Sequence, residues 1–351
     1  MKEAFLYKKF DGKNVMCTAC RRYCRLSDGQ TGFCGVRKNI NGKLQLLVYG
    51  LAAAVHIDPI EKKPLFHYYP GSRMLSIGTT GCDFACAFCQ NWDLSHRRKI
   101  EGVKLSPENA VNTALKYECE GIAYTYNEPT IFIEYAHDIG VLARKHGLKN
   151  VFVTNGYETP EAVEILKKFL DAATVDFKGN GDPEFYRKYT LTPKPEEIFE
   201  TILLLKEKNI HIEITDLVVP KIGDKVEFVR KLTKWIYENL GPDTPFHLLR
   251  FFPYYKLSYL PPTPLKTLEK HAKIAKEEGL KYVYIGNVPG HELENTYCPV
   301  CGKPVIKRMG TEIVEWHLDE NNRCEYCGAE IPIKGNLSEH WDKERFFSVY
   351  F

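Results

Sequence analysis

The chain has 351 residues, 44% of them hydrophobic and 13% aromatic, which is enough for a sizeable core and excludes an intrinsically disordered protein. Its 48 basic and 45 acidic residues leave a net charge of +3, which neither requires a nucleic-acid partner nor excludes one. No stretch reaches the roughly 18 apolar residues that a membrane span needs. The charged segment 1–9 lacks the apolar centre of a signal peptide, so we expect a cytoplasmic protein without membrane association.

The chain contains 12 cysteines, and eleven of them fall into three clusters, with only Cys119 standing apart. Grouped cysteines in a cytoplasmic chain indicate metal sites rather than disulfides. The clusters divide the chain into an N-terminal four-cysteine module with a strand-like end (1–72), a central domain (73–289) and a C-terminal module of zinc-ribbon or rubredoxin type (290–351).

The first cluster consists of Cys17, Cys20, Cys24 and Cys34. Its C-x2-C pair suits a tetrahedral zinc site that folds a segment with little core of its own. The alternative is an auxiliary iron–sulfur cluster, and the spacing does not separate the two. We favour zinc because the cysteines of an electron-carrying cluster are usually more closely spaced.

A charged segment follows an apolar, strand-like stretch at 44–57, and it includes Asp58, Glu61 and Lys63. It is either a solvated loop or a segment that lines the mouth of an active site. We favour the solvated loop.

The central domain alternates apolar runs with amphipathic segments. Strands are predicted at 74–77, 122–126, 151–153, 173–177, 210–219, 246–252 and 282–285, and helices at 106–118, 130–146, 159–169, 195–208, 224–239 and 264–278. Repeated βα units predict a parallel sheet with helices outside it. Because the strands are fewer than the eight of a closed barrel, we expect an α/β fold with an open, partial (β/α)6 barrel. Chemistry in such barrels collects at the C-terminal ends of the strands.

The loop after the first central strand carries Cys82, Cys86 and Cys89 at C-x3-C-x2-C spacing. A four-iron cluster has four corners, each normally bound by a thiolate, so three thiolates leave one iron open to another ligand. Buried free cysteines or a zinc knuckle are the alternatives, but only Cys86 and Cys89 form the C-x2-C pair that zinc knuckles use. The spacing therefore predicts a site-differentiated [4Fe-4S] cluster.

Polar side chains end several of the other predicted strands, and they are Asn127, Glu128, Asn155, Asp176, Lys178 and Arg250. A carboxylate and an amide can accept hydrogen bonds from an ammonium group, and an arginine can bind a carboxylate. Strand alternation places Asp176 and Lys178 on the same side of the sheet. The structural alternatives are a helix cap at Glu128 and an ion pair between Asp176 and Lys178. No catalytic side chain is assigned beyond the cluster.

The last cluster consists of Cys298, Cys301, Cys324 and Cys327, as two C-x2-C pairs that are each followed by glycine. This pattern is typical of a zinc ribbon, and a single rubredoxin-type iron is the alternative. The flanking charges are mixed and form no basic stripe, which makes a nucleic-acid partner unlikely without excluding one. We expect the aromatic tail at 345–351 to dock on the barrel or on a partner.

The cluster loop, with Phe88 before its third cysteine, resembles the motif of the radical S-adenosylmethionine (SAM) superfamily. The continuation Cys89-Gln90-Asn91-Trp92 and the cysteine-rich arms resemble the AmmeMemoRadiSam branch, which is similar to the activating enzymes of glycyl-radical enzymes such as pyruvate formate-lyase. The resemblance implies that the open iron binds SAM, which is cleaved reductively to methionine and a 5'-deoxyadenosyl radical. That radical would abstract hydrogen from, or add to, a substrate that the sequence does not identify.

The resemblance also implies roles for the strand-end residues. Glu128 matches the glutamate of the Gly-Gly-Glu motif that binds the SAM amino group, although Tyr126 and Asn127 replace the two glycines. The triplet at Asn155 is similar to the Thr-Asn-Gly of the activating enzymes. Asp176 and Lys178 match an Asp-x-Lys pair that contacts the ribose and carboxylate of SAM.

The resemblance implies partners as well: an external electron donor of ferredoxin or flavodoxin type, and Memo-like and companion proteins. Two other functions remain open. An activating enzyme for a glycyl-radical partner protein would need a groove for a peptide loop. A zinc-ribbon scaffold or nucleic-acid-binding protein would carry a structural cluster with no open iron.

Overall fold

The computed structural model describes residues 1–96 and 99–349. Its strands are, in chain order, β1 Lys2–Glu3, β2 Tyr7–Lys9, β3 Val15–Cys17, β4 Arg25–Leu26, β5 Arg37–Ile40, β6 Lys43–Leu46, β7 Leu51–Ala52, β8 Ala54–Pro59, β9 Arg73–Gly78, β10 Val103–Lys104, β11 Gly121–Tyr124, β12 Lys149–Thr154, β13 Ala172–Lys178, β14 His211–Val218, β15 Phe246–Arg250, β16 Val283–Gly286, β17 Thr296–Tyr297, β18 Pro304–Met309, β19 Glu312–Trp316 and β20 Phe347–Ser348.

The central sheet has the strand order β16-β15-β14-β13-β12-β11-β9-β8-β20. The strands β9 and β11 to β16 are parallel to one another, and each pairs with its neighbours in the chain. All six residues of β9 and all four of β11 are buried. Strands covered on both faces read as continuous apolar runs, which is why the sequence reveals them. The predicted α/β fold with an open, partial barrel is confirmed.

Helices cover the parallel strands, and their bounds are α1 Trp92–Ser95, α2 Pro107–Lys116, α3 Ile133–Lys145, α4 Pro160–Leu166, α5 Pro183–Phe185, α6 Glu197–Glu207, α7 Val226–Asn239 and α8 Leu265–Glu277. Hydroxyl caps begin two of them: Ser106 accepts a hydrogen bond from the Asn109 amide, and Thr159 accepts one from the Ala162 amide. A proline follows each cap, where its missing N–H costs nothing. Within the described residues, none of the helices combines the length and the apolar character required to cross a bilayer.

Two antiparallel strands extend the sheet beyond β9, and both come from the ends of the chain. Strand β8 pairs with β9, and β20 pairs with β8 through Phe347 opposite Ile57 and Ser348 opposite His56. The described part of the aromatic tail therefore docks on the barrel, as expected. Residues 350 and 351 lie outside the described residues.

Smaller sheets form the two arms. The N-terminal arm contains the sheets β1-β6-β5 and β2-β3-β4, and the C-terminal arm contains β17-β18-β19. The N-terminal arm is tied to α3 by Arg37, whose guanidinium donates to both oxygens of Glu134 at 2.8 and 2.6 Å. Both side chains are buried, so the pair is shielded from water and its planar geometry is complementary.

A second buried ion pair ties the C-terminal arm to the segment after β8. Arg345 donates to Glu61 at 2.8 Å and to Glu312 at 2.8 Å, and the Arg345 and Glu61 side chains are fully buried. Glu61 also accepts a hydrogen bond from the Gly71 amide at 2.7 Å. Three parts of the chain that are distant in sequence therefore depend on one guanidinium.

We expect Arg345→Ala to lower the free energy of unfolding by about 3 kcal/mol, because it leaves the buried Glu61 carboxylate without its cation. Denaturation followed by the fluorescence of Trp316 and Trp341 would measure this loss where the arm unfolds. Lys281→Ala is the matched control: Lys281 forms an exposed pair with Asp243 at 2.9 Å, and such pairs contribute less than about 1 kcal/mol. Equal effects of the two substitutions would show that the buried pair does not hold the arm.

Candidate active site

The C-terminal ends of the parallel strands open into one cavity of about 750 Å³. Its lining includes the three thiols of the cluster loop and five of the predicted strand-end residues: Cys82, Cys86, Cys89, Asn127, Glu128, Asn155, Asp176 and Lys178. Parallel strands bring their C-terminal ends to the same edge, and this topology gathers side chains that are nearly 100 residues apart in the chain.

The cluster loop is held by the side chain of Asn127. Its carbonyl oxygen accepts from the Thr79 amide at 3.1 Å, and its amide group donates to the Thr79 hydroxyl at 3.1 Å and to the Gly81 carbonyl at 2.7 Å. A buried loop must have its backbone groups paired, and Asn127 provides partners that no strand supplies. Asn127 therefore positions the loop that carries the three thiols.

The three thiols are spaced too widely for a single ion. Among the described residues, only the C-terminal cysteines form a group of three or more whose ligand atoms all lie within 4.8 Å of one another. At least one pair among the sulfurs of Cys82, Cys86 and Cys89 is thus farther apart, as expected when each binds a separate iron of one cluster. Burial raises the pKa of Cys86 to about 12, so its thiolate requires a bound metal at neutral pH. These residues fit a four-iron cluster.

Glu128 lines the cavity and also joins neighbouring loops by hydrogen bonds. Its carboxylate accepts from the Asn155 amide at 2.7 Å, from the Thr130 amide at 3.0 Å and from the Thr154 hydroxyl at 2.9 Å. Burial and the neighbouring Glu158 raise the pKa of Glu128 well above its ordinary value. The contact with the Thr130 amide caps the short 3-10 helix Pro129–Phe132, which is the structural role that the sequence left open.

Tyr126 occupies the strand-end position at which the resembled motif has glycine. Its φ of 72° lies in the left-handed region that favours glycine. Its hydroxyl donates to Asp58 at 2.7 Å, and its carbonyl accepts from the Asn91 side chain at 2.8 Å. Both contacts stabilise the strained backbone, so the bend survives without the glycine.

Asn155 connects the cluster loop to the next strand end. Its side-chain amide donates to Asp83 at 2.8 Å, and its side-chain carbonyl accepts from the Tyr157 amide at 3.0 Å. Asp83 follows the first cluster cysteine and is fully buried. Burial raises the pKa of Asp83, and the hydrogen bond from Asn155 opposes that shift.

Asp176 and Lys178 form an ion pair at the cavity wall, with 2.8 Å between Lys178 Nζ and Asp176 Oδ2. Burial would lower the pKa of Lys178, but the Asp176 carboxylate outweighs burial and raises it, so the ammonium stays charged. The other carboxylate oxygen, Asp176 Oδ1, is buried without a hydrogen-bond partner in the protein. An unpartnered carboxylate oxygen in a cavity wall fits a ligand that brings a hydrogen-bond donor.

Arg250 is not among the described residues that line the cavity. Its Nε donates to the Thr263 carbonyl at 2.9 Å. Two other residues of β15, His247 and Leu249, do line the cavity. Alternation along a strand turns Arg250 away from them.

The segment after β8 departs from the solvated loop that we favoured. Asp58 is fully buried and accepts from Lys62 at 2.8 Å and from Lys63 at 2.5 Å. Burial lowers the pKa of Lys63 to about 8 despite this carboxylate. Residues 61–64 and Phe66 line the cavity. The sequence signal was the uninterrupted apolar run before Asp58, which continues as β8 into the sheet.

Two comparisons with known proteins bear on the family. The model of the Radical SAM superfamily matches residues 76–236, which include the cluster loop and the strand ends of β11 to β14. The chain is 45% identical over 339 residues to protein MJ0808 of Methanocaldococcus jannaschii, an alignment that covers 95% of this chain and 99% of that protein. This chain therefore contains a radical SAM superfamily domain. Membership implies a [4Fe-4S] cluster and SAM.

A more distant similarity is to protein MJ0674 of the same organism. The two chains are 25% identical over 292 residues, and the alignment covers 78% of each. Among solved structures, a radical SAM methyltransferase from Sphaerobacter thermophilus aligns with a TM-score of 0.48 and 12% identity over 62% of this chain and 68% of that one. A domain of pyruvate-formate lyase-activating enzyme from Bacteroides vulgatus aligns with a TM-score of 0.41 and 17% identity over 48% of this chain and 99% of that one.

The C-terminal cysteines of this radical SAM protein are arranged differently from those of the cluster loop. Cys298 Sγ lies 3.6 Å from Cys327 Sγ, and Cys301 Sγ lies 3.8 Å from Cys324 Sγ. Four thiolates about 2.3 Å from one zinc ion, in tetrahedral geometry, are roughly 3.8 Å apart. The four residues therefore fit a single tetrahedral ion, and zinc or iron stays the prediction from sequence.

We expect Asn127→Ala to accelerate the loss of cluster iron to a chelator by about tenfold or more, because the Thr79 amide and the Gly81 carbonyl lose their buried partner. Iron release from the anaerobic protein would be followed by absorbance. Asn109→Ala on the exposed face of α2 is the matched control. Release at the same rate from both variants would contradict the positioning role of Asn127.

Strand β14 carries a buried acid whose titration should affect stability. Asp216 faces away from the cavity and accepts from the Asn180 amide at 2.9 Å. Burial raises its pKa from 3.8 to about 7, with a further contribution from Asp176. The folded protein thus retains a proton that the unfolded chain releases, and this carboxyl reduces stability as pH rises from about 4 through 7.

We therefore expect Asp216→Asn to stabilise the protein at pH 8, by up to roughly 4 kcal/mol, and to change little at pH 4.5. Denaturation midpoints at the two pH values would measure the difference. Asp243→Asn, at an exposed carboxylate, should show no such dependence on pH. An equal effect of Asp216→Asn at both pH values would rule out the raised pKa as its cause.

Proposed function

We propose that this chain is an enzyme that cleaves SAM reductively and uses the resulting radical on a small-molecule substrate. The observation that carries the proposal is the shared cavity. Three widely spaced thiols and five strand-end polar residues line the same 750 Å³ space. That volume is within the range of small-molecule sites, roughly 300–1,000 Å³. The superfamily supplies the reaction class.

A cluster held by Cys82, Cys86 and Cys89 would supply the electron for the reductive cleavage of SAM to methionine and a 5'-deoxyadenosyl radical. The protein's own residues bind, orient and exclude water. Cys82, Cys86 and Cys89 hold the cluster. Lys178 can donate to the SAM carboxylate, and Asp176 Oδ1 can accept from a ribose hydroxyl, since that oxygen has no other partner. Glu128 and Asn155 hold their loops in place through hydrogen bonds, and both residues also line the cavity.

A small substrate is favoured over a peptide loop because the cavity has a small-molecule volume and segments from both ends of the chain contribute to its wall. Residues 61–64 line it from the N-terminal side, and Pro289, Gly310 and Thr311 line it from the C-terminal side. The cavity wall also contains aromatic residues, Phe251 and Phe252, and polar ones such as Glu294.

Electron delivery by a ferredoxin- or flavodoxin-type donor is part of this proposal. So is membership of the AmmeMemoRadiSam branch with its Memo-like and companion proteins. Both rest on the resemblance described under Sequence analysis.

The test is anaerobic. Reconstituted protein with SAM and dithionite should form 5'-deoxyadenosine, measured by chromatography, and the Cys82/Cys86/Cys89 triple alanine variant should form none. Cys119→Ala is the matched control, since Cys119 belongs to no cysteine cluster and should be dispensable. Absence of 5'-deoxyadenosine from an intact, fully loaded protein would overturn the proposal.

The same assay tests the binding role of Lys178. We expect Lys178→Met to raise the KM for SAM by roughly 10- to 100-fold, because a charge-assisted hydrogen bond contributes about 1.5–3 kcal/mol. Lys234→Met, at an exposed lysine of α7, is the control. An unchanged KM in Lys178→Met would assign the pair with Asp176 a purely structural role.

A further inference from the structure

Lys63 is a buried lysine in the wall of the cavity. Its side chain is 2% exposed, compared with 11% for Lys178 and 41% for Lys62, the other two lysines among the described lining residues. A buried ammonium group costs free energy unless opposite charge and hydrogen bonds compensate it. The contacts of Lys63 therefore show how much of this compensation the protein itself provides.

The carboxylate that compensates Lys63 is shared with a second lysine. Asp58 Oδ2 accepts from Lys63 at 2.5 Å and from the Tyr126 hydroxyl at 2.7 Å, while Asp58 Oδ1 accepts from Lys62 at 2.8 Å. One carboxylate thus faces two ammonium groups, which leaves one positive charge in excess at this wall.

The ammonium group of Lys63 also has N–H groups without a protein acceptor. It carries three donors, and its one hydrogen-bond acceptor among residues 1–96 and 99–349 is Asp58 Oδ2. The nearby acid Glu61 is already paired with Arg345 at 2.8 Å. Because Lys63 lines the cavity, a ligand in the cavity can accept the remaining hydrogen bonds.

The pKa values of the two buried lysines agree with this charge count. Burial lowers the pKa of Lys63 to about 8 even though Asp58 opposes the shift. The pKa of Lys178 is raised, because its Asp176 partner outweighs burial. The protein therefore compensates the charge of Lys178 and compensates that of Lys63 only in part.

The segment that carries Lys63 is fixed on both sides of it. Asp58 precedes it at the end of β8, in the central sheet. After it, the amides of Phe66 and His67 donate to the buried carboxylate of Glu213 at 3.0 and 2.8 Å. A lysine on a fixed segment loses little conformational freedom when a ligand binds, which favours binding.

We propose that Lys63 binds an anionic group of the substrate, a carboxylate or a phosphate, and that the substrate is therefore a small anionic molecule. Such an anion would neutralise the excess charge and accept the unused N–H groups. Small-molecule sites typically combine apolar walls with a few charged groups that fix the orientation of the ligand. That the anion belongs to the substrate rests on the proposed function, whereas the binding of an anion by Lys63 does not.

The test measures the affinity of the reconstituted, anaerobic protein for acetate and for inorganic phosphate, by proton and phosphorus NMR. Excess SAM without reductant occupies the groups proposed for SAM, Lys178 among them, so that the two probes report on Lys63. We expect at least one probe to bind, and the tighter one to identify the anionic group as carboxylate or phosphate.

Lys63→Met should weaken the binding of that probe by roughly tenfold or more, because a charge-assisted hydrogen bond is lost. Lys234→Met, at an exposed lysine of α7, is the matched control and should leave the affinity unchanged. Asp58→Asn should have the opposite effect and tighten binding, because it removes the negative charge and keeps both lysines. A purely structural role of the pair would not give effects of opposite sign.

A double variant, Asp58→Asn with Lys63→Met, keeps the proposal testable when Lys63→Met alone does not fold, because it removes both buried charges together. It should bind the probe more weakly than Asp58→Asn does.

Two results would overturn the proposal. Failure of both probes to bind the wild-type protein, or equal binding by the wild type and Lys63→Met, would leave Lys63 a structural role only. A rise in the KM for SAM in Lys63→Met as large as that in Lys178→Met would assign the anion to SAM instead of the substrate. Absence of 5'-deoxyadenosine would overturn only the proposed function, since the binding of the probes is measured without turnover.

Discussion

The site depends on hydrogen bonds between neighbouring strand-end loops rather than on any single strand. Asn127, after β11, holds the backbone of the loop after β9 through Thr79 and Gly81. Asn155, after β12, holds Asp83 in the same loop. Buried polar backbone must be paired, and a loop that carries three thiols has few residues left to pair it. The two strand ends beside the cluster loop thus help to set its shape, together with Tyr189 and Thr190, whose carbonyls accept from the Ala87 and Ala85 amides.

The burial of three acidic side chains in these loops costs electrostatic free energy. Asp83, Glu128 and Glu158 are all buried there, and burial raises the pKa of each. The Thr154 hydroxyl lies 2.9 Å from Glu128 Oε1 and 2.5 Å from Glu158 Oε1. Because a hydroxyl carries one hydrogen, a protonated glutamate best satisfies the second contact. Burial thus favours the protonated, neutral form of these acids relative to exposed carboxyl groups.

Local sequence patterns predict the features that follow from hydrophobic periodicity or from the spacing of cysteines. The apolar runs give the parallel strands, and the C-x3-C-x2-C spacing of Cys82, Cys86 and Cys89 gives the cluster loop. Alternation correctly groups Asp176 with Lys178. The same rule places Arg250 on the opposite face of β15 from His247 and Leu249. The sequence alone does not tell which of the two faces points into the cavity. The burial of Asp58 depends on Lys63 and Tyr126, and the contact with Tyr126, 68 residues away, leaves no signal in a single sequence.

Sulfur spacing is likewise invisible in the sequence, because both four-cysteine arms contain C-x2-C pairs. In the C-terminal arm, two such pairs face each other and bring four sulfurs within 4.8 Å. In the N-terminal arm, Cys34 reaches the site through the turn before β5, whose carbonyl packs on Gly81. The position of Cys34 is therefore set by the SAM loop, and not by a ribbon that closes on itself. Both arms are built onto the central site, because Gly310 and Thr311 of the C-terminal arm line the same cavity as the cluster loop.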